Sequence, residues 1–145
     1  MVRRMPCVQS SDSKVLPFSL QKAPRVKVRR VLIAEDSLLI ALDLEKICQD
    51  FGCQSTVQTA FIAECLQIIR SYEIDFAFVD YRLADGTSEP VTDALKVRAI
   101  PFAFCTGQSK CDFAAVSQQA PVIWKPFLPE DVLRAFEQFN LTGEP

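Results

Sequence analysis

Short apolar runs alternate with longer amphipathic runs along the chain from about residue 28 onwards. The apolar runs predict five strands, which are VRRVLIAED, CQSTVQT, IDFAFVD, IPFAFCT and PVIW. The amphipathic runs predict five helices, which are SLLIALDLEKICQDFG, AFIAECLQIIRSY, VTDALKVRA, SKCDFAAVSQQ and LPEDVLRAFEQFN. Strands that alternate with helices in this way form right-handed crossover units, so the sequence predicts an α/β domain with a parallel sheet between two helical layers.

The apolar positions also predict which sides of these elements are buried. IDFAFVD is almost uniformly apolar, which is typical of a strand covered on both faces. Helical spacing predicts two inward faces, one formed by Leu38, Ala41, Leu42, Leu44 and Ile47 and the other by Phe61, Leu66 and Ile69. We expect YRLADGTSEP, between the third strand and the third helix, to be a loop.

The cysteines and the absence of histidine exclude one class of metal site. The chain has six cysteines, none in a C-x-x-C pair, and no histidine. A zinc site of cysteine and histidine is therefore excluded, and no spacing supports an all-cysteine site. We interpret the cysteines as reduced thiols that mostly fill the core, which favours a cytoplasmic protein. No apolar run approaches the ~18 residues that a membrane-spanning helix needs, so we expect no membrane insertion.

The charge is unevenly distributed between the start of the chain and the rest. The first 30 residues contain eight lysines or arginines and one acid, although the 145-residue chain has a net charge of −2. We therefore expect residues 1–27 to be a flexible basic arm, residues 28–140 to be an acidic globular domain and residues 141–145 to be a tail. The arm either has no partner or contacts nucleic acid or another anionic surface.

Polar residues follow four of the five predicted strands. Glu35 and Asp36 end the first, Asp80 the third, Thr106 the fourth and Lys125 the fifth. In a parallel sheet these ends meet at one edge, where ligands bind. Clustered carboxylates repel one another unless a divalent cation lies among them, and an all-oxygen cluster suits Mg²⁺. A lysine and a hydroxyl at the same edge would bind a phosphoryl group, and an aspartate between them can become an acyl phosphate.

The motifs VLIAED, FAFVDYRLADG, FCTG and WKPF, in this order, resemble the receiver domain of two-component response regulators over residues 28 to about 140. The resemblance implies a flavodoxin-like, doubly wound five-stranded parallel sheet in the order 2-1-3-4-5. It implies Asp80 as the phosphoacceptor, and Thr106 and Lys125 as ligands of the phosphoryl group. It also implies that Glu35, Asp36, Asp80 and the backbone carbonyl of Arg82 bind Mg²⁺, and that a sensor histidine kinase or a histidine phosphotransfer protein donates the phosphate.

PFAFCTGQ, IALDLE and LADGTS resemble the single-domain FAT GUY receivers, with Cys105 where that group has alanine. Val122 stands where receivers have the aromatic residue that rotates on activation. We expect Trp124 on the other face of its strand, so a rotating aromatic switch is not expected. Arg82 and Gln108 stand where receivers control water access to the acyl phosphate. One hypothesis is that Arg82 shields the phosphoryl group or pairs with Glu89, and the alternative is that Arg82 is a solvated arginine on a mobile loop. Cys105 is expected to be a core residue that faces away from the site.

The sequence therefore favours a stand-alone receiver that acts as a relay, a sink or a phosphorylation-gated binding partner of a downstream protein. We expect it not to be an enzyme beyond self-catalysed phosphotransfer and slow dephosphorylation, and we expect no DNA-binding output domain. One alternative is a pseudo-receiver that binds its partner without phosphorylation. A less favoured alternative is a haloacid dehalogenase-type phosphatase, which needs a second aspartate where this chain has Arg82.

Overall fold

The computed structural model describes residues 24–143, in which seven strands and five α-helices are formed. The strands are β1 (Arg30–Ala34), β2 (Ser55–Thr59), β3 (Phe76–Val79), β4 (Arg82–Leu83), β5 (Gly86–Thr87), β6 (Phe102–Thr106) and β7 (Val122–Trp124). The helices are α1 (Leu38–Asp50), α2 (Ile62–Ser71), α3 (Glu89–Val97), α4 (Phe113–Ser117) and α5 (Pro129–Glu137). A 3-10 turn, Gln108–Lys110, precedes α4.

Five of the strands form one parallel sheet in the order β2-β1-β3-β6-β7. This order confirms the predicted order 2-1-3-4-5, because β4 and β5 pair only with each other as a small antiparallel hairpin. The hairpin lies inside YRLADGTSEP, which we expected to be a loop. The central strands β1, β3 and β6 are therefore the ones whose carboxyl ends lie side by side.

The sheet separates two layers of apolar core. Helices α1 and α5 cover one face, where Phe76 and Phe78 of β3 lie with Phe136 of α5. Helices α2, α3 and α4 cover the other face, where Ala77 and Val79 of β3 point. Because successive side chains of a strand point to opposite faces, the uniformly apolar β3 supplies both layers, as its sequence predicts.

The predictions of the two inward helix faces were both partly wrong. Leu38 and Leu42 of α1 are 68% and 46% exposed, whereas Ala41, Leu44 and Ile47 are buried as expected. Phe61, expected in the inward face of α2, is 47% exposed and lies at the N-cap, just before the helix begins at Ile62. The buried stripe of α1 is therefore narrower than its apolar composition suggests.

The packed part of the chain extends slightly beyond residues 28–140. Val26 is 3% exposed and forms an antiparallel bridge with Thr142. The Lys27 N–H donates to the Leu141 carbonyl at 2.6 Å, and the Gly143 N–H donates to the Arg25 carbonyl at 2.8 Å. Residues 1–23, most of the predicted basic arm, lie outside the described residues, so the division into arm, domain and tail stays a prediction.

Candidate functional site

Polar side chains from four strands meet at the carboxyl edge of the sheet. Backbone hydrogen bonds continue the strand pairing to this edge: the Asp80 N–H donates to Ala34 at 2.9 Å and the Lys125 N–H to Thr106 at 3.1 Å. This pairing places the strand-end residues at the same level of the sheet. The structure thus brings together all five side chains that the sequence singled out there, namely Glu35, Asp36, Asp80, Thr106 and Lys125.

Asp80 is the centre of the cluster. Its residue is 1% exposed, and its Oδ1 accepts a hydrogen bond from the Thr106 hydroxyl at 2.7 Å. Its Oδ2 accepts from two lysines, Lys110 Nζ at 2.7 Å and Lys125 Nζ at 2.8 Å. Burial raises the pKa of Asp80, but the hydrogen bonds from Lys110, Lys125 and Thr106 outweigh it and hold the pKa below its ordinary value. Asp80 is therefore a buried carboxylate kept ionised by its donors.

Glu35 and Lys125 form the buried side of the cluster. Lys125 Nζ lies 2.6 Å from Glu35 Oε1 and forms an ion pair with it, although the contact is outside hydrogen-bonding geometry. The side chain of Lys125 is 12% exposed and that of Glu35 is 1% exposed. The other oxygen, Glu35 Oε2, accepts from the Ser37 N–H at 3.0 Å. Burial raises the pKa of Glu35, and its contacts with Lys125 and Ser37 offset this only in part. For Lys125, burial acts to lower the pKa, but the hydrogen bond to Asp80 and the close contact with the Glu35 carboxylate outweigh it and raise the pKa above its ordinary value.

Lys110 is a site residue that the sequence reasoning missed. Its Nζ lies 3.0 Å from Asp36 Oδ1 as well as 2.7 Å from Asp80 Oδ2. Burial acts to lower the pKa of Lys110, but hydrogen bonds to these two carboxylates raise it. Lys110 lies four positions after Thr106, in the 3-10 turn. The sequence shows only that a lysine lies in the segment after β6, the strand that ends at Thr106. A separation of four residues does not determine where the lysine side chain points.

Three carboxylates at this edge fit a divalent cation. Glu35, Asp36 and Asp80 each offer an oxygen atom, and these oxygen atoms all lie within 4.8 Å of one another. The donors are all oxygen, which suits Mg²⁺ rather than a softer metal. Burial raises the pKa of Asp36, but the hydrogen bond from Lys110 outweighs it and holds the pKa below its ordinary value. All three residues that the sequence predicted as carboxylate ligands therefore lie in one cluster.

Two of the predicted modulatory residues, Arg82 and Gln108, follow the site residues Asp80 and Thr106 by two positions each in the chain. Arg82 is exposed in β4, where it pairs with Thr87, and among residues 24–143 it forms no ion pair with Glu89. Gln108 is exposed in the 3-10 turn. The hypothesised Arg82–Glu89 pair is therefore absent from the part of the chain that the structure describes, where Arg82 is instead an exposed arginine.

Comparison with known proteins decides the family. No protein-family model matches the chain. A CheY-like response regulator receiver domain protein from Methanospirillum hungatei JF-1 shares its fold, with a TM-score of 0.67 at 24% identity over 77% of this chain and 93% of that chain. SdrG from Sphingomonas melonis Fr1 is 34% identical with a TM-score of 0.66, and the match covers 79% of this chain and 98% of SdrG. The chain belongs to the response regulator receiver family.

A curated relative agrees with this assignment. The receiver is 32% identical over 113 residues to the Phyllosphere-induced regulator PhyR of Methylorubrum extorquens. The match covers 74% of the receiver but only 42% of PhyR, so the receiver spans less than half the length of this relative.

Within residues 24–143 of the receiver, no helix is long and apolar enough to cross a membrane.

The expected orientation of Trp124 in the receiver was wrong. Trp124 stacks on Phe113 of α4 with ring centroids 5.7 Å apart, and Val122 packs in the core layer that contains Val116 of α4. Ile123 points to the opposite layer. Alternate residues of a strand share a face, so Val122 and Trp124 both lie on the α4 side. An aromatic residue thus does face α4 from β7, two positions after Val122.

The cysteines of the receiver allow a labelling prediction. Cys105 is 1% exposed in the core, as expected, and burial raises its pKa to about 12. Cys111 is partly exposed, and burial raises its pKa as well, so accessibility is what distinguishes the two thiols. Because a thiol must be accessible and ionised to react, we expect a pulse of N-ethylmaleimide to modify Cys111 at least about 100-fold faster than Cys105. Peptide mass spectrometry measures both rates, and both thiols should react readily in urea. Selective labelling of Cys105 in the native protein would contradict its burial.

Proposed function

We propose that the receiver accepts a phosphoryl group on Asp80 from a phosphohistidine of a sensor histidine kinase or a histidine phosphotransfer protein. The observation that carries the proposal is the set of donors on the Asp80 carboxylate. Thr106 contacts one of its oxygens and Lys125 the other, at 2.7 and 2.8 Å. A carboxylate that already accepts hydrogen bonds from a hydroxyl and an ammonium is suited to nucleophilic catalysis. The same two donors can bind the negatively charged oxygens of the group that is transferred to it.

The proposed transfer is a displacement at phosphorus. An oxygen of the Asp80 carboxylate forms the new bond to phosphorus while the bond between phosphorus and the donor imidazole nitrogen breaks. The electron pair of that bond stays on the imidazole nitrogen. Lys125 donates to the phosphoryl oxygens as a fixed positive charge, and the Thr106 hydroxyl turns from Asp80 Oδ1 to a phosphoryl oxygen. Both donors come from strand ends, so they need little reorganisation.

Glu35, Asp36 and Asp80 would hold Mg²⁺, together with the Arg82 backbone carbonyl that the family resemblance implies. Bound there, the cation would neutralise the negative charge that the transferred group brings to this acidic edge. Arg82 and Gln108, exposed near the site, are the residues that we propose to control water access to the acyl phosphate.

We propose that phosphorylation acts through Thr106. The hydroxyl ends β6, and the chain continues through the 3-10 turn into α4, whose Phe113 stacks on Trp124 of β7. Drawing Thr106 onto the phosphoryl group would favour one conformer of this β6–α4–β7 surface. Val122 cannot serve as a rotating aromatic switch. The receiver would then serve as a relay, a sink or a gated partner of a downstream protein in the cytoplasm, without contacting DNA or inserting into a membrane.

A pseudo-receiver that works without phosphorylation is the second candidate. The observation that favours it is the second lysine, because Lys110 binds the same Asp80 oxygen as Lys125. A phosphatase of the haloacid dehalogenase type is disfavoured, since Arg82 stands where its second aspartate would be needed.

Intact-mass spectrometry tests the proposal on the wild-type protein. After incubation with acetyl phosphate and Mg²⁺, we expect the mass of one phosphoryl group to be added, and we expect at least about tenfold less with excess EDTA. A parallel assay of small phosphoesters should give no turnover. Absence of labelling with acetyl phosphate and with a cognate phosphohistidine donor would support the pseudo-receiver, and sustained phosphoester turnover would support the phosphatase.

A further inference from the structure

Lys110 occupies part of the cluster that a divalent cation would use. We propose that Lys110 is a tethered competitor of this cation: its ammonium holds Asp36 and Asp80 in the metal-free protein and must leave when the metal binds. The inference rests on the metal site in the proposed function and adds a residue that controls its occupancy.

The contacts of Lys110 place it in direct competition. Its Nζ lies 3.0 Å from Asp36 Oδ1 and 2.7 Å from Asp80 Oδ2, so it contacts two of the three candidate ligands. The remaining Asp80 oxygen accepts from Thr106 at 2.7 Å. A divalent cation between Asp36 and Asp80 would lie within a few ångströms of this ammonium. Like charges at such a distance in a half-buried site repel strongly, so a bound divalent cation favours the departure of one of the two lysines on Asp80.

Of the two lysines on Asp80, Lys110 is the one placed to move. Its side chain is 31% exposed, against 12% for Lys125. Lys110 is carried by a 3-10 turn, where its N–H bonds locally to the Gly107 carbonyl at 2.9 Å. Lys125 directly follows β7, and its N–H bonds to the carbonyl of Thr106 in the neighbouring strand. The partly exposed side chain of Lys110 can swing into solvent with a change of rotamers, whereas Lys125 has a more buried side chain on a backbone that the sheet holds in place.

Displacement of Lys110 would couple metal binding to the segment between β6 and α4. The turn that holds Lys110 leads to Asp112, whose side chain caps the start of α4 by accepting from the Ala114 N–H at 3.0 Å. Phe113, the first residue of α4, stacks on Trp124. Trp124 is the only tryptophan of the chain, so its fluorescence reports on this segment. Without metal, the contacts of Lys110 with Asp36 and Asp80 would thus restrain the 3-10 turn. With metal bound, these contacts would be lost and the turn would be free to move.

A Mg²⁺ titration of wild type and three variants tests the competition. We expect Lys110→Met to lower the Kd for Mg²⁺ about tenfold, measured by isothermal titration calorimetry and by Trp124 fluorescence, because the variant lacks the competing ammonium. Lys46→Met is the matched control: it removes the same charge from an exposed pair with Asp50 and should bind like wild type. Lys110→Arg, which keeps the charge, should also bind close to wild type. An unchanged or raised Kd in Lys110→Met would overturn the inference.

Amine labelling of the wild-type protein supplies a test that needs no variant. Peptide mapping after a pulse of an N-hydroxysuccinimide ester should show Lys110 labelled at least about threefold faster at saturating Mg²⁺, with Lys46 unchanged. Equal labelling of Lys110 with and without Mg²⁺ would overturn the inference and leave the proposed function standing. Failure of both wild type and Lys110→Met to bind Mg²⁺ would instead overturn the metal site itself, and the competition with it.

Discussion

Replacement of Lys125 by methionine is expected to slow phosphorylation of Asp80 by about a hundredfold or more. The ammonium lies 2.8 Å from Asp80 Oδ2 and is 12% exposed, so its charge is little screened by solvent. Removing one fixed donor from the developing charge of a reaction typically costs 10²- to 10³-fold in rate. Methionine keeps most of the length of the side chain, so the change isolates the charge. The rate is measured by intact mass over time with acetyl phosphate and Mg²⁺.

A matched lysine variant controls for the loss of charge. Lys96 is exposed on α3 and its Nζ donates to Gln119 at 2.8 Å, away from the cluster. Lys96→Met should phosphorylate at the wild-type rate. A Lys125→Met rate within about threefold of wild type would contradict the role of Lys125 as a ligand of the phosphoryl group.

Replacement of Phe76 by alanine is expected to lower the free energy of unfolding by about 3–5 kcal/mol. Phe76 is fully buried at 0% exposure, and its ring lies 4.9 Å from Phe136 and 5.0 Å from Phe78. The cavity left in this aromatic layer cannot close easily, because the ring lies between a strand and α5. Urea denaturation followed by circular dichroism measures the loss.

The decrease in the free energy of unfolding should depend on how deeply the replaced phenylalanine is buried. Phe61 is 47% exposed at the start of α2, so Phe61→Ala should cost less than about 1 kcal/mol. Similar losses for the two variants would contradict the position of Phe76 in the core.

The fold could be predicted from the sequence because the strands and helices are marked by local, periodic patterns of apolar residues. The uniform apolar run of β3 predicted burial on both faces, and the alternation of strands and helices predicted a parallel sheet. The same topology predicted that Glu35, Asp80 and Thr106 would meet, because residues at the carboxyl ends of adjacent parallel strands must lie at one edge.

Other features depend on geometry that the sequence does not encode locally. Lys110 reaches the cluster only because a 3-10 turn follows β6, and the length of such a segment does not fix where its side chains point. Leu38 and Leu42 are exposed because only part of the apolar surface of α1 packs in the core, and helical spacing alone does not fix how wide the packed part is. The error over Trp124 was different, since strand alternation already placed it on the face of Val122.

Mass spectrometry of Asp80→Asn beside wild type is the measurement that tests the central claim most directly. Wild type, incubated with acetyl phosphate and Mg²⁺, is predicted to gain the mass of one phosphoryl group, and Asp80→Asn is predicted to gain none. Asp93→Asn, a matched change at an exposed aspartate of α3, is predicted to label like wild type. Labelling of Asp80→Asn at the wild-type level would contradict the assignment of Asp80 as the phosphoacceptor, and so would the absence of label on every protein with both acetyl phosphate and a cognate phosphohistidine donor.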